Sequence, residues 1–123
     1  MARILLVEDE ESLQILYQQE LESDGHEVVC VGDGKAAVRM ASEMLPDVVI
    51  MDINLPDHMD GIESMSKILS QNRDIPVIIN TGYSEYQDNF MSWAADAYVL
   101  KSADMEPLKE AIQSALERKG ISS

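Results

Sequence analysis

Glu8-Asp9, Asp52, Thr81-Gly82 and Lys101 share a setting: each stands at the end of a short apolar run. The runs are Ile4 to Val7, Val48 to Met51, Val77 to Ile79 and Ala97 to Leu100. Three carboxylates sharing one pocket would repel each other, so one takes up a proton or a cation neutralises them. An oxygen-only set with no His or Cys nearby in sequence suits Mg²⁺, a hard ion that keeps several waters. A phosphoryl group would complete the shell. Its oxygens would meet the ion, the Lys101 ammonium, the Thr81 hydroxyl and backbone amides, which is the charge stabilisation phosphoryl transfer requires. Gly82, lacking a side chain, would leave room for the incoming group.

A fifth run, Val28 to Val31, completes the set. The runs are apolar at consecutive positions, as expected of strands buried on both faces of a parallel sheet. Helical spacing appears between them in four stripes: Leu13, Leu16, Tyr17, Leu21; Ala37, Met40, Ala41, Met44; Ile62, Met65, Ile68, Leu69; and Met105, Leu108, Ile112, Leu116. A weaker helix is expected from about Glu85 to Ala94. Gly25 fits the position just past the first helix.

Five alternations of strand and helix predict a doubly wound α/β domain with helices on both faces. Such sheets bind ligands at the carboxyl ends of their strands. The flavodoxin-like order 2-1-3-4-5, one of the two common arrangements, would place Asp52 between the acid pair and Thr81. Lys101 would start two strands away, ~10 Å at ~4.8 Å per strand, a gap its long stem largely covers. The expectation is one domain over residues 1–123, with 119–123 a flexible tail.

The chain has 123 residues, 46% of them hydrophobic, enough for one core. A net charge of −14 argues against nucleic acid and anionic membranes as partners. No apolar run nears the ~20 residues of a membrane span, and no signal-peptide pattern precedes the first strand. A cytoplasmic location is expected. Cys30 reads as buried and unreactive, having no cationic neighbour in sequence. His26 and His58 read as surface residues. Trp93 reads equally as packing or as part of a partner surface.

The residues closely resemble the response-regulator receiver family of two-component signalling, chemotaxis-type, over about Arg3 to Arg118. The resemblance rests on Ile4-Leu5-Leu6-Val7-Glu8-Asp9-Glu10, on Asp47 through Pro56, on Met59-Asp60-Gly61, on Asn80-Thr81-Gly82 and on Asp96 through Lys101. It implies that Asp52 is the phospho-acceptor. Asp9, Asp52 and the backbone carbonyl of Asn54 would ligate Mg²⁺ (or Mn²⁺), with Glu8 acting through water. Lys101 would bind the phosphoryl group. Thr81 and Tyr98 would form a switch pair that remodels the face of the fourth helix, fifth strand and fifth helix. Tyr83 would stand beside Gly82 at the pocket mouth. Implied partners are a sensor histidine kinase or histidine phosphotransfer protein and an output protein or domain. Phosphorylation-dependent homodimerisation stays open. Such a module catalyses only its own aspartyl phosphorylation and dephosphorylation.

Two departures stand out. Ser102 follows the lysine where the family usually has Pro, often through a cis bond. A cis non-proline bond costs ~2.5–4 kcal/mol, so Lys101-Ser102 is expected to be trans, with Ser102 or Asp104 capping the last helix. The stretch Pro56 to Gly61 is one residue longer than the common form. Two rival functions share parts of the pattern. A haloacid-dehalogenase-type hydrolase also uses a strand-end Asp, Mg²⁺, Thr/Ser and Lys, but needs a second Asp as general acid where this chain has Asn54. A degenerate receiver that only scaffolds is opposed by the full residue set.

Overall fold

The computed structural model describes residues 2–52, 61–82 and 95–120. Five strands, β1 (Arg3–Val7), β2 (Glu27–Val31), β3 (Val48–Met51), β4 (Val77–Thr81) and β5 (Ala97–Leu100), form one sheet in the order β2-β1-β3-β4-β5. All four pairings are parallel. The described helices are α1 (Glu11–Ser23), α2 (Gly34–Met44), α3 (Gly61–Gln71) and α4 (Glu106–Lys119). The helix expected at Glu85 to Ala94 lies outside the described residues. No helix among those described is long and apolar enough to cross a membrane.

The consecutive apolar runs have a direct physical outcome. Successive strand side chains point to opposite faces, so each run feeds two cores at once. Ile4, Leu6, Val48, Ile50 and Ile78 join Tyr17 and Leu21 of α1 and Leu108, Ile112 and Leu116 of α4. Leu5, Val7, Val49, Met51, Val77 and Ile79 join Ala37 and Ala41 of α2 and Met65 and Ile68 of α3. Full burial of each large aliphatic side chain contributes roughly 1.5–3 kcal/mol before conformational entropy is subtracted. Both layers clamp β1, β3 and β4, the strands whose ends carry Glu8, Asp52 and Thr81.

Local chemistry sets the helix ends. Asp33 caps α2, its side chain accepting from Ala36 N at 2.7 Å. Gly25 follows α1 with φ 94° and its N–H donates to Glu22 O at 2.9 Å, in keeping with its expected place just past the helix. Met105 is the N-cap residue of α4, and side chains tie the loop before it: Asp104 Oδ1 accepts from Glu106 N at 3.0 Å and Ser102 Oγ accepts from Asp104 N at 3.1 Å. The Lys101-Ser102 bond is trans. Two hydroxyl and carboxylate contacts thus shape the loop where a proline would otherwise do so.

Three details differ from the sequence-based expectation. Leu16 stands outside the buried stripe at 40% exposure, beside Ile15 at 51%. The sheet and α4 cover an arc of α1 that reaches Tyr17 and Leu21 but not its neighbour. His26 is partly buried instead of lying free on the surface, in the turn after α1, where it lines a small cavity with Leu21, Lys109 and Ile112. Cys30 is half-buried, its Sγ facing Gln18 Oε1 at 3.6 Å.

Candidate functional site

β1 and β3 are adjacent central strands, and their ends are locked in step. Glu8 N donates to Val31 O at 3.0 Å, continuing the β1–β2 ladder, while Asp52 N donates to Val7 O at 3.0 Å. These bonds set Glu8 and Asp52 side by side at the carboxyl edge. Both are buried, with Glu8 at 1% and Asp52 at 5% exposure. Asp9 is exposed at the rim. One carboxylate oxygen from each of the three lies within 4.8 Å of the others.

Thr81 closes β4 and is fully buried. Its carbonyl accepts from Lys101 N at 2.7 Å, which carries the chain out of β5 toward the site. Lys101 Nζ then reaches Asp52 Oδ2 at 2.8 Å and Glu8 Oε1 at 2.8 Å. Glu8 Oε2 accepts from Glu10 N at 3.1 Å, and the Glu8 carbonyl accepts from Gln14 Nε2. Every hydrogen-bonding group of Glu8 therefore has a partner.

The charges are tuned by these contacts. Burial pushes the Glu8 carboxyl above its ordinary range, although the Lys101 and Glu10 hydrogen bonds pull the other way. For Lys101, burial disfavours the charge, but the hydrogen bonds to Asp52 and Glu8 outweigh it and hold the ammonium above the usual lysine value. The lysine is thus a permanent cation over two buried acids.

The structure brings Glu8, Asp9, Asp52 and Lys101 into one cluster and sets Thr81 one strand from Asp52. Tyr98, midway along β5, is partly buried against the α2–α3 side of the sheet. Gly82 is exposed, and a Cβ built there would meet no neighbour within 4 Å. Asn54, Tyr83, His58, Trp93 and the loop from Pro56 to Asp60 lie outside the described residues. Sequence reasoning missed Gln14, whose only signal was a polar residue in the first turns of α1 facing back toward Glu8. It also missed the lysine's second bond, to Glu8. Asp96, too, has a role beyond its place in a motif: its Oδ2 accepts from Val77 N at 3.0 Å and its Oδ1 pairs with Arg118 at 3.2 Å.

The donor set is oxygen-only, clustered and partly open to solvent, so it fits a hard divalent cation such as Mg²⁺. Known proteins share this arrangement of fold and sequence. The chain is 33% identical over 117 residues to the regulatory protein AtoC of Escherichia coli strain K12, covering 94% of this chain and 25% of that protein. It spans between a quarter and about half the length of the curated relatives it matches. Among solved structures, it superposes with a TM-score of 0.88 on the response regulator TrrA of Thermotoga maritima in complex with Mg²⁺-BeF. The identity is 36%, over 94% of this chain and 100% of that one. The receiver domain of the sensor histidine kinase PA1611 of Pseudomonas aeruginosa PAO1, solved with a magnesium ion in its active-site cleft, matches with a TM-score of 0.85. That pair is 30% identical over 94% of this chain and 98% of the other. The response regulator receiver domain family matches residues 4–113, nearly the whole described fold, and the chain belongs to that family.

Proposed function

We propose that this receiver domain takes a phosphoryl group onto Asp52 and reports the event through the β5–α4 face. The observation that carries the reading is the juxtaposition of three carboxylates within 4.8 Å with Lys101 Nζ at 2.8 Å from the central one. An Asp52 carboxylate oxygen attacks the donor phosphorus, a P–O bond forms, and the P–N bond to a donor histidine breaks. Asp9, Asp52 and the Asn54 carbonyl would hold Mg²⁺, with Glu8 acting through water, and the ion would supply charge neutralisation. The chain's own contribution is electrostatic. Lys101 offers a fixed ammonium to phosphoryl oxygens, and Thr81 offers a buried hydroxyl from the neighbouring strand.

The switch depends on position. Movement of the Thr81 hydroxyl toward a phosphoryl oxygen frees space beside Tyr98, on the adjacent strand in register with Ile79. Tyr98 lines an open groove of about 1070 Å³ between β5 and α4, with Val99, Leu100, Pro107 and Ala111. A local charge change thereby biases a surface that an output protein reads. The donor is a sensor histidine kinase or histidine phosphotransfer protein, the setting is cytoplasmic, and the only chemistry is on the domain's own aspartate.

The test is to incubate the chain with Mg²⁺ and acetyl phosphate and weigh it intact beside Asp52→Asn. One phosphate adduct that requires Mg²⁺ and is lost in the variant supports the reading. No adduct from acetyl phosphate or from a phosphorylated histidine donor overturns it in favour of a scaffold.

A further inference from the structure

The Glu8 carbonyl sits where the sheet runs out. β1 ends at Val7 opposite Val31, and the last ladder bond is Glu8 N–H to Val31 O. Beyond it the two strands have no further paired residues, so the carbonyl of Glu8 has no strand partner. A side chain supplies one: Gln14 Nε2 donates to Glu8 O. Gln14 is itself anchored in the first turns of α1, its own N–H donating to Glu10 O at 3.0 Å. Its amide also stands against Gly32, where a Cβ added to the glycine would lie 3.7 Å from Nε2.

The consequence falls on Asp9. The Glu8 carbonyl and the Asp9 N–H share one rigid peptide plane, so holding the carbonyl fixes the direction in which the chain enters Asp9. Glu8 needs little such help, because its carboxylate is bound by Lys101 and by Glu10 N. Asp9 is exposed and has no hydrogen-bond or ion-pair partner among the described residues. Among the described residues nothing else holds its side chain, so its aim toward the carboxylate cluster follows the backbone, and Gln14 holds the peptide that leads into it.

We infer that Gln14 is a positioning residue for the cation site, holding the Glu8–Asp9 peptide so that the Asp9 carboxylate faces Glu8 and Asp52. This rests on the reading of that cluster as a divalent-cation site. Gln14 touches neither substrate nor ion. It acts through the backbone, as outer partners of metal ligands commonly do.

The experiment compares the full chain with Gln14→Met, which keeps length but removes the donor, and with Gln18→Met, one turn along the same helix. Calorimetric titration with MgCl₂ gives the affinity. Carbonyl ¹³C and amide-exchange NMR on the metal-free proteins reports the Glu8–Asp9 peptide directly. The expected result is about tenfold weaker Mg²⁺ binding for Gln14→Met, the low end for loss of an outer partner, with Gln18→Met unchanged. In the metal-free spectra only Gln14→Met should move the Glu8 carbonyl resonance. Wild-type-like Mg²⁺ affinity in Gln14→Met, or equal losses in both variants, overturns the inference while leaving the metal reading intact. A wild-type chain that takes up no Mg²⁺ overturns both.

Discussion

Lys101 Nζ and Asp52 Oδ2 lie 2.8 Å apart although β4 separates the strands from which they come. The lysine also reaches Glu8, so one ammonium offsets two buried carboxylates. Replacing it by Met should remove the cation that offsets both acids. The expected loss is about 3 kcal/mol at pH 7, the low end for breaking a buried pair because the lysine side chain is 21% exposed. Urea denaturation measures it. The gap between wild type and variant should narrow as pH falls through the raised pKa of Glu8, where protonation removes one of the charges that needed the partner. An identical gap on both sides of that pKa would assign the effect to packing of the lysine stem.

The Glu8 carboxyl carries its own pH signature. Burial raises its pKa in the fold above the ordinary value of 4.5. The native state therefore holds the proton more tightly than the unfolded chain. The Glu8 contribution to stability is fully present below the unfolded pKa and is lost as pH rises through the folded one. Glu8→Gln should flatten the stability profile across the window just above pH 4.5, and thermal melts at closely spaced pH values would show it. An unchanged profile would mean that Lys101 and Glu10 fully compensate the burial.

His26 acts in the opposite direction. Burial lowers its pKa from 6.5, against an opposing pull from Asp24, and Nδ1 has no hydrogen-bond partner among the described residues. Below about pH 6.5 the unfolded chain binds the proton more readily, so stability falls as pH drops through the folded pKa. His26→Gln should lessen the drop in denaturation midpoint between about pH 7.5 and about pH 5.5, with both limits chosen to bracket the ordinary histidine pKa of about 6.5. A variant with the same drop as wild type would move the acid sensitivity to other groups.

Ser64 is fully buried in α3, and its hydroxyl has no hydrogen-bond partner among the described residues. A buried unsatisfied hydroxyl costs about 1–3 kcal/mol, and Ala is the better helix former. Ser64→Ala should therefore stabilise the fold by about 1 kcal/mol, read as a higher urea midpoint with an unchanged slope. A lower midpoint would show that the methyl group packs worse than the hydroxyl it replaces.

Leu45 ends α2 in the left-handed region, with φ 50°, and is 65% exposed. The conformation costs an L residue roughly 1–2 kcal/mol, and exposure returns little. Leu45→Gly should raise stability by about 0.5–1 kcal/mol, less than the full strain because glycine gains freedom when unfolded. A destabilised variant would assign Leu45 a packing role in the fold.

Much of this site could be read before any fold was known. Runs of three or four apolar residues are a local pattern, and the polar site residues follow each run at once or, for Thr81, after one intervening residue. Glu8, Asp9, Asp52, Thr81 and Lys101 were legible as strand-end residues for that reason, and the alternation with helical stripes led to a parallel sheet with two covered faces. The departures were local as well: Ser102 in place of proline implied a trans bond, although the cap of the last helix fell to Met105 and not to the expected Ser102 or Asp104.

The tertiary structure decided which elements lie side by side. Strand order is a long-range property, and the adjacency of β1 and β3 in the order β2-β1-β3-β4-β5 makes Glu8 and Asp52 neighbours. The bridge from Lys101 to Glu8, the bond from Gln14 to the Glu8 carbonyl, and the outward turn of Leu16 all require distances between elements that share no sequence pattern. A periodic stripe states that a helix has an apolar face, but the width of the covered arc is set by how the sheet and α4 pack on it. In the same way, a glutamine in a helix carries no mark of the orphaned carbonyl it meets, because that carbonyl exists only where β1 and β2 part company.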